Sequence, residues 1–246
     1  STILRDEMFR MGTTPDIRKS KLKRLINSKD LVRVLEAHNP LTGLIVEKIS
    51  LKNKDKLNDE FDAMWSSSLT DSSARGKPDN QSVDYSTRYQ GLNEILDVTT
   101  KPVIFDADNG GRLEHISFMV KTLERSGVSA MIIEDKIGLK KNSLFKNQKG
   151  AMQDSPGNFA KKIKVAKKSS VSEDFMIIAR IESFILGKGL KDALKRAEKY
   201  SKAGADGILI HSKENNPQEI FSFAKIYSKK PYAKPLVCVP STYSRT

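Results

Sequence analysis

The sequence predicts an α/β fold, a (β/α)8 TIM-type barrel whose eighth β/α unit is missing from the chain as written. Three observations carry this expectation. Short apolar runs alternate seven times with segments of helical period, and no antiparallel hairpin signal interrupts them. Polar residues collect just after those runs, at Asp106, Asp108, Glu134, Arg180, Glu182 and His211, and such strand ends form the face on which barrel sites are built. The turn after the first run, HNPLTG, is not the glycine-rich phosphate turn that a doubly wound sheet usually carries there.

The elements follow in order. A helix is expected over about 15–28, with Ile17, Leu22, Leu25 and Ile26 on its apolar side, and it reads as an N-terminal capping helix. Val32 to Ala37 reads as the first strand. Pro40 then opens a helix to about Ile49, with Leu41, Leu44 and Ile45 at helical spacing. Phe61 to Trp65 is the second strand, and a polar loop through Arg75, Gly76, Lys77 and Asp79 separates it from a helix over about Asp84 to Val98.

The third strand is the apolar run Pro102 to Phe105. Its helix places Ile116, Met119, Val120 and Leu123 on one face, with Gly127 as the stop. Ala130 to Ile133 and Phe175 to Ile181 are strands four and five; the helix after the latter runs through Leu190, Ala193, Leu194 and Ala197 to Gly204. Gly207 to Ile210 is strand six. Asn216, Pro217 and Glu219 read as cap, first-turn proline and N3 glutamate of the next helix, and Leu236 to Val239 is strand seven. One domain over residues 1–246 is expected. Because a closed barrel needs an eighth strand, either sequence beyond Thr246 or a partner is expected to complete the wall.

Composition narrows the function classes. The 246 residues are 38% hydrophobic, enough for one sizeable core. No apolar run reaches about 18 residues, so no helical membrane span is predicted. STILRDEMFRMG lacks a secretory pattern, and the cytoplasm is the expected compartment. The single cysteine, Cys238 in PLVCVP, rules out an internal disulfide and any multi-cysteine metal site; its neighbours predict a buried structural thiol. A formal charge of +13 admits nucleic acid, acidic membrane or an anionic small substrate. The lysines at 161, 162, 164, 167 and 168, and at 195, 199 and 202, read as solvated helix faces, without interleaved aromatics of the stacking type.

The stretch KPVIFDADN concentrates the chemistry. Strand alternation would set the Asp106 and Asp108 carboxylates on one side, where like charges repel unless a cation lies between them. By itself D-x-D reads equally as a polar strand end. A second acidic strand end, at Glu134-Asp135-Lys136, favours a divalent cation.

The segments MWSSSLTDSSARGKPD, VIFDADNGG, IIEDKIGLKKNSLF, ARIESF and ILIHSK, in that order from about Lys23 to Tyr243, resemble the phosphoenolpyruvate mutases of the isocitrate lyase superfamily. The resemblance implies a (β/α)8 barrel in a homodimer or tetramer, its last helix exchanged between subunits. The implied reaction interconverts phosphoenolpyruvate and phosphonopyruvate, the first step of phosphonate biosynthesis, with Mg2+. It implies Asp106 as direct magnesium ligand, with Asp79, Asp108 and Glu134 holding the ion's waters. Trp65, Ser67, Ser68 and Leu69 match the segment that cradles the substrate carboxylate. Arg180 and His211 match groups that meet the moving phosphoryl charge.

The stretch from Lys136 to Gly157 is a loop of about twenty residues by sequence, and loops of that length are usually functional or disordered. The resemblance makes it a gating loop, over about 136–157, with Lys140, Asn142, Ser143 and Leu144 reaching the phosphoryl group and sealing the site. Related lyases carry a cysteine in a KKCGH-type segment; KKNSL stands here, which disfavours carbon–carbon cleavage. Two rivals stand beside the mutase reading: a phosphonopyruvate hydrolase, and a non-catalytic basic barrel that binds nucleic acid. The second has no use for four acidic groups at strand ends.

Overall fold

The computed structural model describes residues 12–52, 58–138, 140–143 and 147–244. In chain order the elements are α1 (Pro15–Ser28), β1 (Val34–Glu36), α2 (Pro40–Lys48), β2 (Ser50–Lys52), β3 (Asn58–Glu60), β4 (Ala63–Ser66), α3 (Ser68–Ser73), α4 (Tyr85–Val98) and β5 (Val103–Asp106). There follow α5 (Leu113–Arg125), β6 (Ala130–Glu134), β7 (Lys136–Gly138), β8 (Ala151–Gln153), α6 (Pro156–Ser169), β9 (Met176–Ile181), α7 (Gly189–Ala203), β10 (Gly207–Ile210), α8 (Gln218–Tyr227) and β11 (Leu236–Cys238). The main sheet has seven strands in the order β1-β4-β5-β6-β9-β10-β11. Strands met in chain order, with helices between them, give the TIM-type α/β topology that the sequence predicts.

The chain falls into two compact units. One holds the residues up to Asp106 with Thr122–Met131 and Ser172–Phe175; the other holds Ala107–Lys121, Ile132–Val171 and the residues from Met176 onward.

In the first unit, β1 pairs in parallel with β4, Val34 opposite Ala63, and β4 with β5, Met64 opposite Val103. Ala63, Met64, Val103, Ile104 and Phe105 are almost wholly buried, as expected of strands covered on both faces. Helix α1 lies where the sequence predicts it. Buried Arg18 donates to the carbonyls of Leu96 (2.7 Å) and Lys101 (3.2 Å), and so answers backbone acceptors around the C-terminal end of α4. Gly127 ends α5 at φ +87°, and a Cβ there would stand 2.6 Å from Pro15 Cα, so both conformation and space demand glycine.

In the second unit, β9 pairs in parallel with β10, Ile178 opposite Gly207, and β10 with β11, Ile208 opposite Leu236. Helix α7 ends on Gly204 at φ +109°, the left-handed cap its sequence announces. Lys167 and Lys162, assigned above to a solvated face, are only half-exposed: Lys167 pairs with Asp206 at 2.7 Å and Lys162 donates to the Asn109 carbonyl at 2.8 Å.

Several expectations are corrected. Two antiparallel ribbons exist, β2 with β3 and β7 with β8, each of three residues per strand. SLK, NDE, KIG and AMQ are too short to show an alternation, so the absence of a hairpin signal did not mean absence of hairpins. The segment 136–157 is accordingly not one structureless loop: β7 and β8 form its two ends and α6 begins at Pro156. Ser68–Ser73, to which the sequence reading gave no element, is helical. Pro217 is the cap of α8 rather than its first residue; Asn216 Oδ1 accepts from Gln218 N at 3.1 Å, and Glu219 accepts from the Ser212 hydroxyl at 2.5 Å instead of closing a capping box. Cys238 is exposed, not buried, because β11 stands last in the sheet order and its residues are only half-covered.

Candidate functional site

The first unit carries Trp65, Ser67, Ser68, Leu69, Asp79 and Asp106. Strand β5 is buried along its length and delivers Asp106 at its C-terminal end, 7% exposed. Asp106 Oδ2 accepts from the Ser68 hydroxyl at 3.2 Å. Ser67 caps α3 and Ser68 begins it, immediately after the end of β4 at Ser66, so the segment matched to carboxylate binding is a strand-to-helix turn. Trp65 lies in β4 opposite Ile104, half-buried like Leu69, and Asp79 lies half-buried in the turn after Pro78.

Beneath this turn sits a group that sequence reasoning missed. Arg88 of α4, 3% exposed, gives Nε to Asp71 Oδ2 at 2.8 Å, Nη1 to the Asp106 carbonyl at 2.6 Å and Nη2 to the Ser66 carbonyl at 3.3 Å. Its guanidinium carbon lies 4.5 Å from the centre of the Phe105 ring. One planar fork therefore ties the ends of β4 and β5 to α3. Burial raises the Asp71 carboxyl, and the Arg88 cation works against that rise. Seventeen residues separate Asp71 from Arg88, and no sequence pattern announces the pair.

The second unit carries Asp108, Glu134, Lys140, Asn142, Ser143, Arg180 and His211; Leu144 lies outside the described residues. Asp108 is not a continuation of β5. Its φ is +53°, a left-handed turn that aspartate tolerates, so strand alternation does not set its side chain. Its carbonyl accepts from Glu134 N at 2.7 Å, and its carboxylate is ion-paired with the Lys140 ammonium. Gly110 at φ +76° completes the turn against Ile133.

Four polar groups converge at the end of β9. Glu182, fully buried, accepts Arg180 Nε on Oε1 at 2.6 Å; on Oε2 it accepts the Ser143 hydroxyl at 2.7 Å and Lys136 Nζ at 3.2 Å. Lys136 Nζ also reaches Ser143 Oγ at 2.6 Å and the Lys141 carbonyl at 2.9 Å, and Arg180 Nη2 donates to Ser143 Oγ at 3.0 Å. Arg180 Nε stands 3.6 Å from Glu134 Oε2. Burial alone would raise the Glu182 carboxyl, but the Arg180 and Lys136 cations hold it well below the usual carboxylate range. Burial, then the Arg180 cation, push the His211 imidazole down to about 4, and among the described residues its buried Nδ1 has no hydrogen-bond partner. Lys136 and Glu182 are site residues that sequence reasoning left in the background. The signal for Glu182 was its i+2 spacing from Arg180 across a strand end.

A further network holds the root of the 136–153 ribbon. Asp135 Oδ2 accepts from Tyr200 at 2.7 Å, Gln153 at 2.9 Å and Arg196 at 3.1 Å; its Oδ1 accepts from Glu182 N at 2.9 Å. Asp154 N donates to the Asp135 carbonyl at 2.8 Å. Burial pushes the Asp135 carboxyl up to about 6, against these donors.

Relatives of known family match this chain in sequence and in fold. The family model described as phosphoenolpyruvate phosphomutase matches residues 22–246. The phosphoenolpyruvate phosphomutase of Tetrahymena pyriformis is 38% identical over 226 residues, covering 91% of this chain and 70% of that protein. The crystal structure of phosphoenolpyruvate phosphomutase from Streptomyces platensis subsp. rosaceus superimposes with a TM-score of 0.83 at 34% identity, covering 93% of this chain and 75% of that one. A phosphonopyruvate hydrolase in complex with oxalate and Mg++ superimposes at 0.79 with 30% identity, covering 95% and 74%. A match along nearly the whole chain, with the same fold, is what common descent leaves: the chain belongs to the phosphoenolpyruvate phosphomutase family.

Proposed function

We propose that this protein is a phosphoenolpyruvate mutase, an isomerase that moves a phosphoryl group between the oxygen of phosphoenolpyruvate and the carbon of phosphonopyruvate. The observation that carries the reading is the placement of segment 140–143 against the strand-end groups of its unit, with Lys140 on Asp108 and Ser143 on Arg180 and Glu182. A phosphoryl group in transit has to be gripped and kept from water, and a loop drawn onto such groups suits that task.

Mg2+ is the proposed cofactor. The donors fit it: Asp106 offers hard, buried carboxylate oxygens, already oriented by Ser68 at 3.2 Å. Among the described residues no group of three or more His, Cys, Asp or Glu side chains cages a metal, and Asp106 is proposed as sole direct ligand, with Asp79, Asp108 and Glu134 on its waters. When bound, the ion supplies Lewis-acid stabilisation of enolate and carboxylate oxygens.

The chain's own residues do the rest. Trp65, Ser67, Ser68 and Leu69 seat the pyruvyl carboxylate. Arg180 offers a guanidinium fork to the phosphoryl oxygens. His211, neutral at pH 7 by its depressed pKa, presents imidazole N–H rather than full charge to the same group. Lys140 and Asn142 grip the phosphoryl from the loop, with Ser143 and Leu144 completing its closure. A homodimer or tetramer in the cytoplasm belongs to the same reading; no helix among the described residues is long and apolar enough to cross a membrane.

Phosphorus NMR of protein, Mg2+ and phosphonopyruvate tests it. Appearance of phosphoenolpyruvate is the expected result. Free phosphate would make the protein a hydrolase, and an unchanged spectrum would remove the enzymatic reading.

A further inference from the structure

Ser143 has one hydroxyl donor and two acceptor lone pairs. All three are engaged by the protein: the donor goes to Glu182 Oε2 at 2.7 Å, and the acceptors face Lys136 Nζ at 2.6 Å and Arg180 Nη2 at 3.0 Å. The hydroxyl is therefore saturated and has nothing left for a substrate oxygen. At the same time the Glu182 carboxylate is divided by function. Oε1 holds Arg180 Nε, while Oε2 holds the loop through Ser143 and the start of the ribbon through Lys136. Glu182, Lys136 and Ser143 are all buried, so these charge-assisted bonds are not in competition with bulk water.

We propose that Glu182 is a positioning residue, which with Ser143 and Lys136 forms a latch coupling docking of the 140–143 segment to the aim of Arg180. This rests on the mutase reading and assigns Ser143 to the latch rather than to the substrate. If Ser143 lifts away, Arg180 Nη2 loses the Ser143 hydroxyl as an acceptor and Glu182 Oε2 loses the Ser143 donor, keeping Lys136. Loop opening therefore removes one of the contacts that aim the guanidinium, while Glu182 Oε1 still holds its Nε. Such coupling gives a phosphoryl-transfer enzyme a specific advantage: the phosphoryl group meets a correctly aimed Arg180 only when the loop is down and water is out.

Limited trypsinolysis of the folded, full-length protein, with fragments identified by mass, reads the latch without reference to catalysis. Ser143→Ala removes the loop's half and leaves both Glu182 ion pairs in place. Cleavage within residues 140–149 should quicken about tenfold, the order expected for losing one hydrogen bond to a charged group. Cleavage elsewhere and the Tm should stay as in the wild type. With phosphonopyruvate, KM should rise several-fold and product should leak towards pyruvate and phosphate, neither of which a merely structural serine would cause. Glu182→Gln, which keeps the shape and weakens both arms, should show the same loop cleavage. Wild-type cleavage rates in both variants would overturn the latch whatever the activity. A wild type that protects its loop but leaves phosphonopyruvate untouched would overturn the functional reading instead, and with it the catalytic part of the proposal.

Discussion

Arg180 Nε lies 2.6 Å from Glu182 Oε1, two residues further along the same strand end. A pleated backbone turns side chains i and i+2 to one side, so the pair follows directly from β9. The pairing leaves the guanidinium held by protein at Nε, while its Nη2 edge faces the loop serine at 3.0 Å. An arginine fixed at one edge gives up less freedom when its other donors bind an oxyanion.

Asp106 is the first residue to change. Asp106→Ala should abolish most Mg2+-dependent conversion of phosphonopyruvate, because it deletes the proposed direct ligand. Asp108→Ala should cost less, since that carboxylate is proposed to act through water and is paired with Lys140. Initial rates across a magnesium titration compare the two. Near-normal turnover in Asp106→Ala would mean that the ligand assignment is wrong.

Asn142 tests the fate of the phosphoryl group. Asn142→Ala removes two amide donors from the loop and should lower kcat by about 10²–10³-fold, the usual cost of a lost transition-state donor. The remaining reaction should release a larger share of phosphate and pyruvate. Product partition followed by phosphorus NMR decides this; an unchanged rate and partition would reduce the loop to a cover.

The Arg88–Asp71 pair should matter for stability out of proportion to its distance from any substrate. Arg88→Met strands a buried carboxylate and frees the Ser66 and Asp106 carbonyls, for a loss of about 3–5 kcal/mol. Arg88→Met combined with Asp71→Leu should recover part of that loss, because no charge is then buried alone. Urea unfolding of the single and double variants measures the difference.

Acid should unfold the protein partly through His211. Its folded pKa of about 4 lies below the ordinary 6.5, so between these values the unfolded chain binds more protons and stability falls as pH drops. The Glu182 carboxyl, also depressed, adds a loss of the same sign at lower pH. Asp135, pushed up to about 6 from 3.8, acts in the opposite direction and regains stability as pH falls through 6. A difference measurement separates them. From pH 7 to pH 4, His211→Gln should lose roughly 3 kcal/mol less than the wild type. Parallel unfolding curves at both pH values would refute the assignment.

The inner strands of the main sheet were legible in the chain because burial on both faces writes continuous apolar runs. VIFD, AMIIE, MIIARI and GILI are such runs, and each was read within a residue or two of its bounds. Strand ends were legible for the same reason: where the apolar run stops, Asp106, Glu134 and His211 begin. Glycine stops at 127 and 204 were equally plain, since a left-handed cap has few alternatives. The four ribbon strands, SLK, NDE, KIG and AMQ, were not readable, because they are short, largely polar and lie outside any apolar run.

What only the tertiary structure decided was which charges meet. Asp71 and Arg88 are 17 residues apart, Ser143 and Glu182 39, Asp135 and Tyr200 65, and none of these partners shares a pattern with the other. Local sequence fixes whether a residue lies at a strand end, but pairing depends on which ends the fold brings together. The exposure of Cys238 is of the same kind: its apolar neighbours imply burial, and its place in the last strand of the sheet order withholds it. Backbone periodicity is encoded residue by residue, whereas electrostatic partnership exists only once distant segments are packed.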